Sequence, residues 1–264
     1  MKKLGAAIIA FGIWSMSSST LVWANCDVGD LTLDSHTTRL TYPNGKGPFP
    51  LVVLTHGGKV GRINKGFKNW INWYKKLGIA SLYVDSFTWR SCRPVNWQEG
   101  EETRKRDFDT LLKIIPTIKN IDQRNIFFQG HSAGTSISIR AGTLQRDSET
   151  QIRVSGVINF YPATYTCQVS DLSKPKWTSE YITIIGELDE PANACWEQQG
   201  TPFVKIEGAY HAFDLGLRGS YQKTCRSYRS REFGEMEMCF QLNDTARDQA
   251  RDEILKFLNR VLIK

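Results

Sequence analysis

Short apolar runs recur through the chain at 51–55, 79–84, 126–129, 154–160, 181–185 and 203–206, each stopping at glycine, histidine, an acidic residue or, after Phe160, Tyr161-Pro162. Runs of this length and continuity suit strands buried on both faces of a parallel sheet. The segments between them carry helical spacing. Phe67, Trp70, Ile71 and Tyr74 fall on one stripe, with Gly78 placed to cap it. A second helix is expected from about Glu101, with Phe108, Leu111, Leu112 and Ile115 on its apolar face and Pro116 ending it. A last helix is expected from about Thr245, striped by Ala246, Ala250, Ile254, Leu258 and Val261. Residues 36–42 read as an edge strand, and 88–100 and 215–243 as irregular. Strands alternating with helices predict an α/β fold with a mostly parallel central sheet and helices on both faces. In such sheets, sites gather beyond the carboxyl ends of the strands.

The N-terminus has the order of a secretory signal: Lys2 and Lys3, an apolar stretch over 4–14, then serines and Val22-Trp23-Ala24. The apolar stretch is short for a membrane span, which needs roughly 20 residues, so stable membrane insertion is not expected. The reading is a signal peptide over 1–24, cleaved near Ala24, and one domain over 25–264 in a secreted or periplasmic protein. A lipoprotein anchored at Cys26 is the rival. Such signals want a small residue before the cysteine and usually leucine three before it, and here Asn25 and Trp23 stand there.

Loss of Lys2 and Lys3 takes the formal charge from +7 to +5. The charge is spread along the chain, as on mixed solvated faces, and there is no nucleic-acid motif. All six cysteines lie beyond the leader, and an even number in an exported chain predicts disulfides. Cys225 with Cys239 is the local pairing, and Cys167 with Cys195 is a further one. The excursion over 215–243 would then be stapled to the surface. No Cys-x-x-Cys or Cys/His cluster exists, so neither a metal nor a cofactor is expected.

Gly130-His131-Ser132-Ala133-Gly134 follows one of the apolar runs and precedes a helix reaching about Leu144. A sharp strand-to-helix turn there would lift the Ser132 hydroxyl above the sheet. Serine needs an imidazole to take its proton, and the imidazole needs a carboxylate to hold its tautomer. Only one histidine, His211, follows Ser132. Asp189, just past the 181–185 strand, is the expected acid, ahead of Glu187, Glu190 and Asp171, while Asp214 lies after the histidine. Oxyanion donors are expected at the Ala133 N–H and in the loop after the first buried strand, at Gly58, with Gly57 and Lys59 as neighbours. His56 is read as bracing that loop, His131 as packing, and His36 as an exposed strand residue. Arg90 and Arg93 would match a carboxylate-bearing substrate, against the alternative of solvated loop arginines. Trp89, Trp97 and Tyr161 are read either as pocket walls or as packing aromatics.

Together, His56-Gly57-Gly58, Val84-Asp85-Ser86-Phe87 with Arg90, Gly130 to Gly134, Phe160-Tyr161-Pro162, Gly186-Glu187-Leu188-Asp189 and Gly208 to Asp214 resemble the dienelactone hydrolase-like branch of the α/β-hydrolases. The resemblance implies the α/β-hydrolase fold, a Ser132, Asp189, His211 triad, and metal-free hydrolysis of a small-molecule ester or lactone. The founding enzymes carry cysteine where this chain has Ser132, which points toward more general ester chemistry. A peptidase on the same fold and a catalytically idle exported binding protein are the alternatives. The acyl and alcohol groups and the oligomeric state are left open.

Overall fold

The computed structural model describes residues 26, 29–34, 37–58, 63–90, 92, 94, 96–144, 152–167, 175–198, 200–216, 219–230 and 234–263. The expected leader, His36, Lys59, Arg93 and Asp171 lie outside these. Seven strands form the main sheet: β1 (Thr38–Thr41), β2 (Phe49–Thr55), β3 (Ala80–Val84), β4 (Ile121–His131), β5 (Val154–Phe160), β6 (Glu180–Gly186) and β7 (Val204–Ile206). Their order is β1-β3-β2-β4-β5-β6-β7. Only the edge strand β1 runs antiparallel to its neighbour.

Alternate residues of the buried strands feed two cores. Val52 and Leu54 of β2 join Phe67, Trp70, Ile71 and Tyr74 of α1 (Lys65–Lys76) on one face. Leu51 and Val53 join Phe108 and Leu111 of α2 (Trp97–Ile114) and Ile137 and Ala141 of α3 (Thr135–Gly142) on the other. The short α4 (Glu190–Gln198) follows β6, and α5 (Asp244–Val261) adds Ala246, Ala250, Ile254, Phe257 and Leu258 to the first face. Each fully buried side chain of this size contributes roughly 1.5–3 kcal/mol. Both faces are therefore covered, which is why the strands read as continuous apolar runs and not as alternation.

Several element boundaries differ from expectation. α2 starts at Trp97, not Glu101, because the Asn96 side chain accepts the Glu99 N–H and caps it. β4 starts at Ile121, extended through the polar Asp122, Arg124 and Asn125, and its pairing with β2 shifts register between Phe49 and Leu51. α4 was not expected; Pro191 falls in its first turn, where proline costs no helix hydrogen bond.

The 215–243 stretch is not irregular throughout. It holds an antiparallel hairpin, β8 (Thr224–Ser230) and β9 (Gly234–Phe240), with Cys225 opposite Cys239 and joined to it. Cys26 is bonded to Cys92, tying the first described residue to the loop before α2. Cys195 is disulfide-bonded as well. The side chain of Cys167, its expected partner, lies outside those described. Among the described residues no helix is long and apolar enough to cross a membrane.

Candidate active site

From β2 the chain builds outward to β3 on one side and to β4 on the other. The crevice beyond the carboxyl ends of β2 and β4 is thus a topological switch point, where ligands bind in open α/β sheets. The loop beginning at His56 leaves β2 there, and Ser132 leaves β4 there.

Ser132 opens a single 3-10 turn, Ser132–Gly134, between β4 and α3. Its φ of 51° is left-handed and costly for a side-chain-bearing residue. The turn is tight enough that a Cβ on Gly134 would lie 2.6 Å from the carbonyl oxygens of Thr55 and His56. The Ser132 hydroxyl lies 2.9 Å from His211 Nε2, and His211 Nδ1 lies 2.7 Å from Asp189 Oδ2. An ionised carboxylate only accepts, so Nδ1 carries the proton and Nε2 is left to accept from Ser132. His211 and Asp189 are 2% exposed. Asp189 directly precedes α4 and its Oδ1 accepts from the Ala192 N–H at 3.5 Å, so the positive end of that helix favours the carboxylate. His211 follows β7, and its backbone N–H donates to the Cys239 carbonyl at 3.0 Å. The other acids considered have different work. Glu187 accepts from the Gly208 N–H, and Asp214 accepts from Trp70 and Tyr161.

Two backbone N–H groups are aimed by what holds the carbonyl across the same trans peptide. The Ser132 carbonyl accepts from Thr135 Oγ1 at 2.6 Å and from the Ala163 N–H at 3.3 Å, so the Ala133 N–H points the opposite way. The Gly57 carbonyl accepts from His56 Nδ1 at 2.9 Å, and His56 Nε2 accepts from the Ser86 N–H at 3.1 Å. The Gly58 N–H then points away from His56. Burial first, then the Arg104 charge, lower the His56 pKa to about 4, keeping the ring neutral in this brace.

His131 packs as expected, stacked on Phe160 at 4.7 Å with planes 6° apart. It also belongs to a buried polar chain that sequence reading missed. Tyr74 donates to Gln129, Gln129 Nε2 donates to His131 Nε2, and His131 Nδ1 donates to the Tyr161 oxygen at 2.9 Å. Tyr161 in turn donates to Asp214 Oδ1, whose other oxygen accepts from Trp70 Nε1 at 2.6 Å. Burial lowers the His131 pKa to about 4 against the pull of Asp214, and burial with Asp214 holds the Tyr161 hydroxyl well above its usual range. The one local signal was Asp214 itself, an acid three residues after the histidine.

The expected substrate contacts need correction. The side chain of Arg90 is 1% exposed and its fork is filled by Asp107, at 2.7 and 3.3 Å. Its remaining donors go to the carbonyls of Gly29 and Ser86. It is neither a clamp open to a substrate carboxylate nor a solvated loop arginine. Trp89 donates to the Asp85 carbonyl and lies under the Arg90 guanidinium. Tyr161 is fully buried with its ring 4.7 Å from that of His211, so it packs beneath the histidine. Trp97, 43% exposed, stacks on Tyr165. One group of metal-type side chains gathers among the described residues, Cys225, Glu237 and Cys239, and its two sulfurs are joined in a disulfide.

No family model matches the sequence, and no curated protein does. Solved structures do match. Thermogutta terrifontis esterase 2 phosphonylated by cyclosarin superposes with a TM-score of 0.53 at 14% identity, over 85% of this chain and 88% of that one. The butyrate-bound form of a thermophilic esterase from the same organism gives 0.53 at 15% identity, over 85% and 88%. A dienelactone hydrolase from Anabaena variabilis gives 0.45 at 20% identity, over 66% of this chain and 81% of its own. With a mostly parallel sheet, helices on both faces and the likeness to the two esterase structures, the chain has the α/β-hydrolase fold.

Proposed function

We propose that the protein is an exported serine hydrolase that cleaves a small-molecule ester or lactone. The observation that carries this reading is the connected set Ser132 Oγ, His211 and Asp189, at 2.9 and 2.7 Å, in the switch-point crevice. His211 Nε2 takes the Ser132 proton as the hydroxyl oxygen bonds to the acyl carbonyl carbon. The Ala133 and Gly58 N–H groups donate to the developing oxyanion. His211 then passes its proton to the departing alkoxide, and the acyl group stays on Ser132. Water, deprotonated by the same nitrogen, attacks this acyl-enzyme and releases the acid. Asp189 keeps the imidazole in the tautomer that the first step needs and stabilises the imidazolium formed in it.

Export is supported by the leader-like N-terminus and by the disulfides at Cys26–Cys92 and Cys225–Cys239, which persist in oxidising compartments. An ester specificity is in keeping with serine at the nucleophile position. We read residues 25–264 as a single domain.

The test is turnover of short p-nitrophenyl esters by the oxidised protein and by Ser132→Ala. Loss of the nucleophile should lower kcat by at least about a thousandfold. A fluorophosphonate probe should label the parent and not the variant. Undiminished turnover by the variant sinks the mechanism. A folded parent that neither turns over nor labels is instead a binding protein on a hydrolase fold.

A further inference from the structure

The two N–H groups read as oxyanion donors belong to different loops, Gly58 after β2 and Ala133 after β4. The first half of α2 reaches both. Arg104 is 1% exposed, and its Nη2 donates to the Gly58 carbonyl at 2.5 Å while Nη1 donates to the Gly100 carbonyl at 3.3 Å. The guanidinium lies over the Phe87 ring at 4.8 Å. Among the described residues it has no carboxylate within ion-pair distance, unlike Arg90, which is neutralised by Asp107.

Glu101, one turn before Arg104, joins the second loop. One of its oxygens accepts from Arg140 of α3 at 2.8 Å, and the other lies 3.1 Å from the Tyr165 hydroxyl. The same hydroxyl lies 2.8 Å from the Ala133 carbonyl, and its one proton is shared between these two acceptors. Tyr165 is stacked on Trp97, the first residue of α2, with ring centroids 5.6 Å apart. Helix, tyrosine and turn thus form one packed unit.

We propose that Arg104 and Tyr165 are positioning residues of the oxyanion site, with Glu101 setting the tyrosine. This rests on the serine-hydrolase reading of the same site. Gly58 sits at a φ of 66°, and the space its Cβ would occupy is open to 4 Å, so side-chain packing does not hold it from that direction. The Arg104 bond to its carbonyl anchors the peptide after the donor, while His56 sets the peptide before it through the Gly57 carbonyl. Tyr165 likewise anchors the peptide after Ala133, while Thr135 and Ala163 set the one before it through the Ser132 carbonyl. Arg104, itself buried, also places a positive charge behind the loop, where it favours the oxyanion over the neutral ester. Interactions that strengthen as charge develops raise kcat and leave ground-state binding alone.

The experiment uses the full oxidised chain, Arg104→Gln and Tyr165→Phe, with p-nitrophenyl acetate turnover and inhibition by phenylboronic acid, which forms a tetrahedral adduct on the serine. Removing a direct oxyanion donor costs about a hundredfold to a thousandfold in kcat, so a residue one bond behind it should cost about tenfold. Each variant is expected to lose about tenfold in kcat and in boronate affinity together, with KM within about twofold of the parent. Arg104→Lys, which keeps the charge, should recover part of the loss. If Arg104→Gln does not fold, Tyr165→Phe decides, since it removes a single hydroxyl. Boronate affinity and kcat within about twofold of the parent, or a fall in kcat with boronate affinity untouched, overturn the proposal. Ser132→Ala in the same assay separates the two levels. A parent without turnover, or turnover that survives Ser132→Ala, overturns the hydrolase reading and this inference with it. Ser132-dependent turnover that ignores both variants overturns this inference alone.

Discussion

His211 is held through its backbone by Cys239. The histidine N–H donates to the cysteine carbonyl at 3.0 Å, and the Phe240 ring meets the imidazole edge-on at 5.4 Å. The strand that carries both belongs to the two-stranded hairpin, outside the main sheet. Its staple, Cys225–Cys239, closes a separation of 14 residues. An isolated two-stranded hairpin is marginal in water, and a crosslink of this span contributes about 3 kcal/mol in the chain-entropy account.

The Cys225→Ser, Cys239→Ser double variant should therefore lose hydrolytic activity before it loses the fold. We expect kcat to fall about tenfold at a temperature where far-ultraviolet circular dichroism is unchanged. Comparison of the activity-loss and unfolding temperatures checks this. Coincidence of the two would mean that the hairpin does not act on His211 separately.

The buried histidines set a pH dependence of stability. His56 and His131 are lowered to about 4 chiefly by burial, against an ordinary value near 6.5. Between these values the unfolded chain binds protons that the folded one refuses. Stability is then full above about pH 6.5 and falls as the pH drops toward 4, by about 1.4 kcal/mol per pH unit for each histidine. Urea midpoints measured from pH 7 to 4.5 should decline, and His131→Asn should give a shallower slope. A midpoint that does not move over this range contradicts the neutral assignment of both rings.

Arg90 and Asp107 form a buried pair at 2.7 Å, each side chain 1% exposed. Burial pulls the Asp107 pKa upward, and the bonds from Arg90 oppose it. Removing one partner strands the other charge, so Asp107→Ala should cost about 3–5 kcal/mol in chemical denaturation. An Arg90→Met, Asp107→Leu double variant should recover most of this and keep the parent KM for neutral esters. A selective rise in KM for carboxylate-bearing esters would return Arg90 to the substrate.

How much of this was legible in the sequence depended on the range of the interaction. Ser132, Asp189 and His211, which the structure brings within hydrogen-bond distance, could be singled out as candidates because the expected fold dictates a chain order and places each just past a strand, which are local signals. The sheet was legible because both its faces are buried. The hairpin hid behind its polarity, although Met236, Met238 and Phe240 alternate with Glu235, Glu237 and Cys239 at strand period. Arg90 was misread because its partner, 17 positions away, sits on a helix whose polar residues read as solvent-facing. Asp107 and Arg104 are 1% exposed, and nothing local in the sequence marks a charge that folds inward. The chain from Tyr74 to Asp214 spans helix, strand and two loops, so only the tertiary structure assembles it.

At Gly57 the two loops of the site pack closely against each other. A Cβ placed on it would lie 2.7 Å from the Ser132 Cβ and 2.8 Å from the His131 carbonyl oxygen. Neither neighbour can give way easily. Ser132 is in a left-handed conformation fixed by the turn, and the His131 carbonyl belongs to the end of β4. A methyl group here must move the loop, and with it the Gly58 N–H, or displace Ser132 from His211. Shifts of about 1 Å in a reacting constellation cost about a hundredfold, so Gly57→Ala should lower kcat by about that factor. The core packing is untouched by this change, so the melting temperature should fall by only a few degrees, about 1 kcal/mol in stability. Fluorophosphonate labelling rate and turnover, measured on the same preparation, check the expectation. Labelling and turnover both at the parent rate would show that the loop does not pack against Ser132 as described.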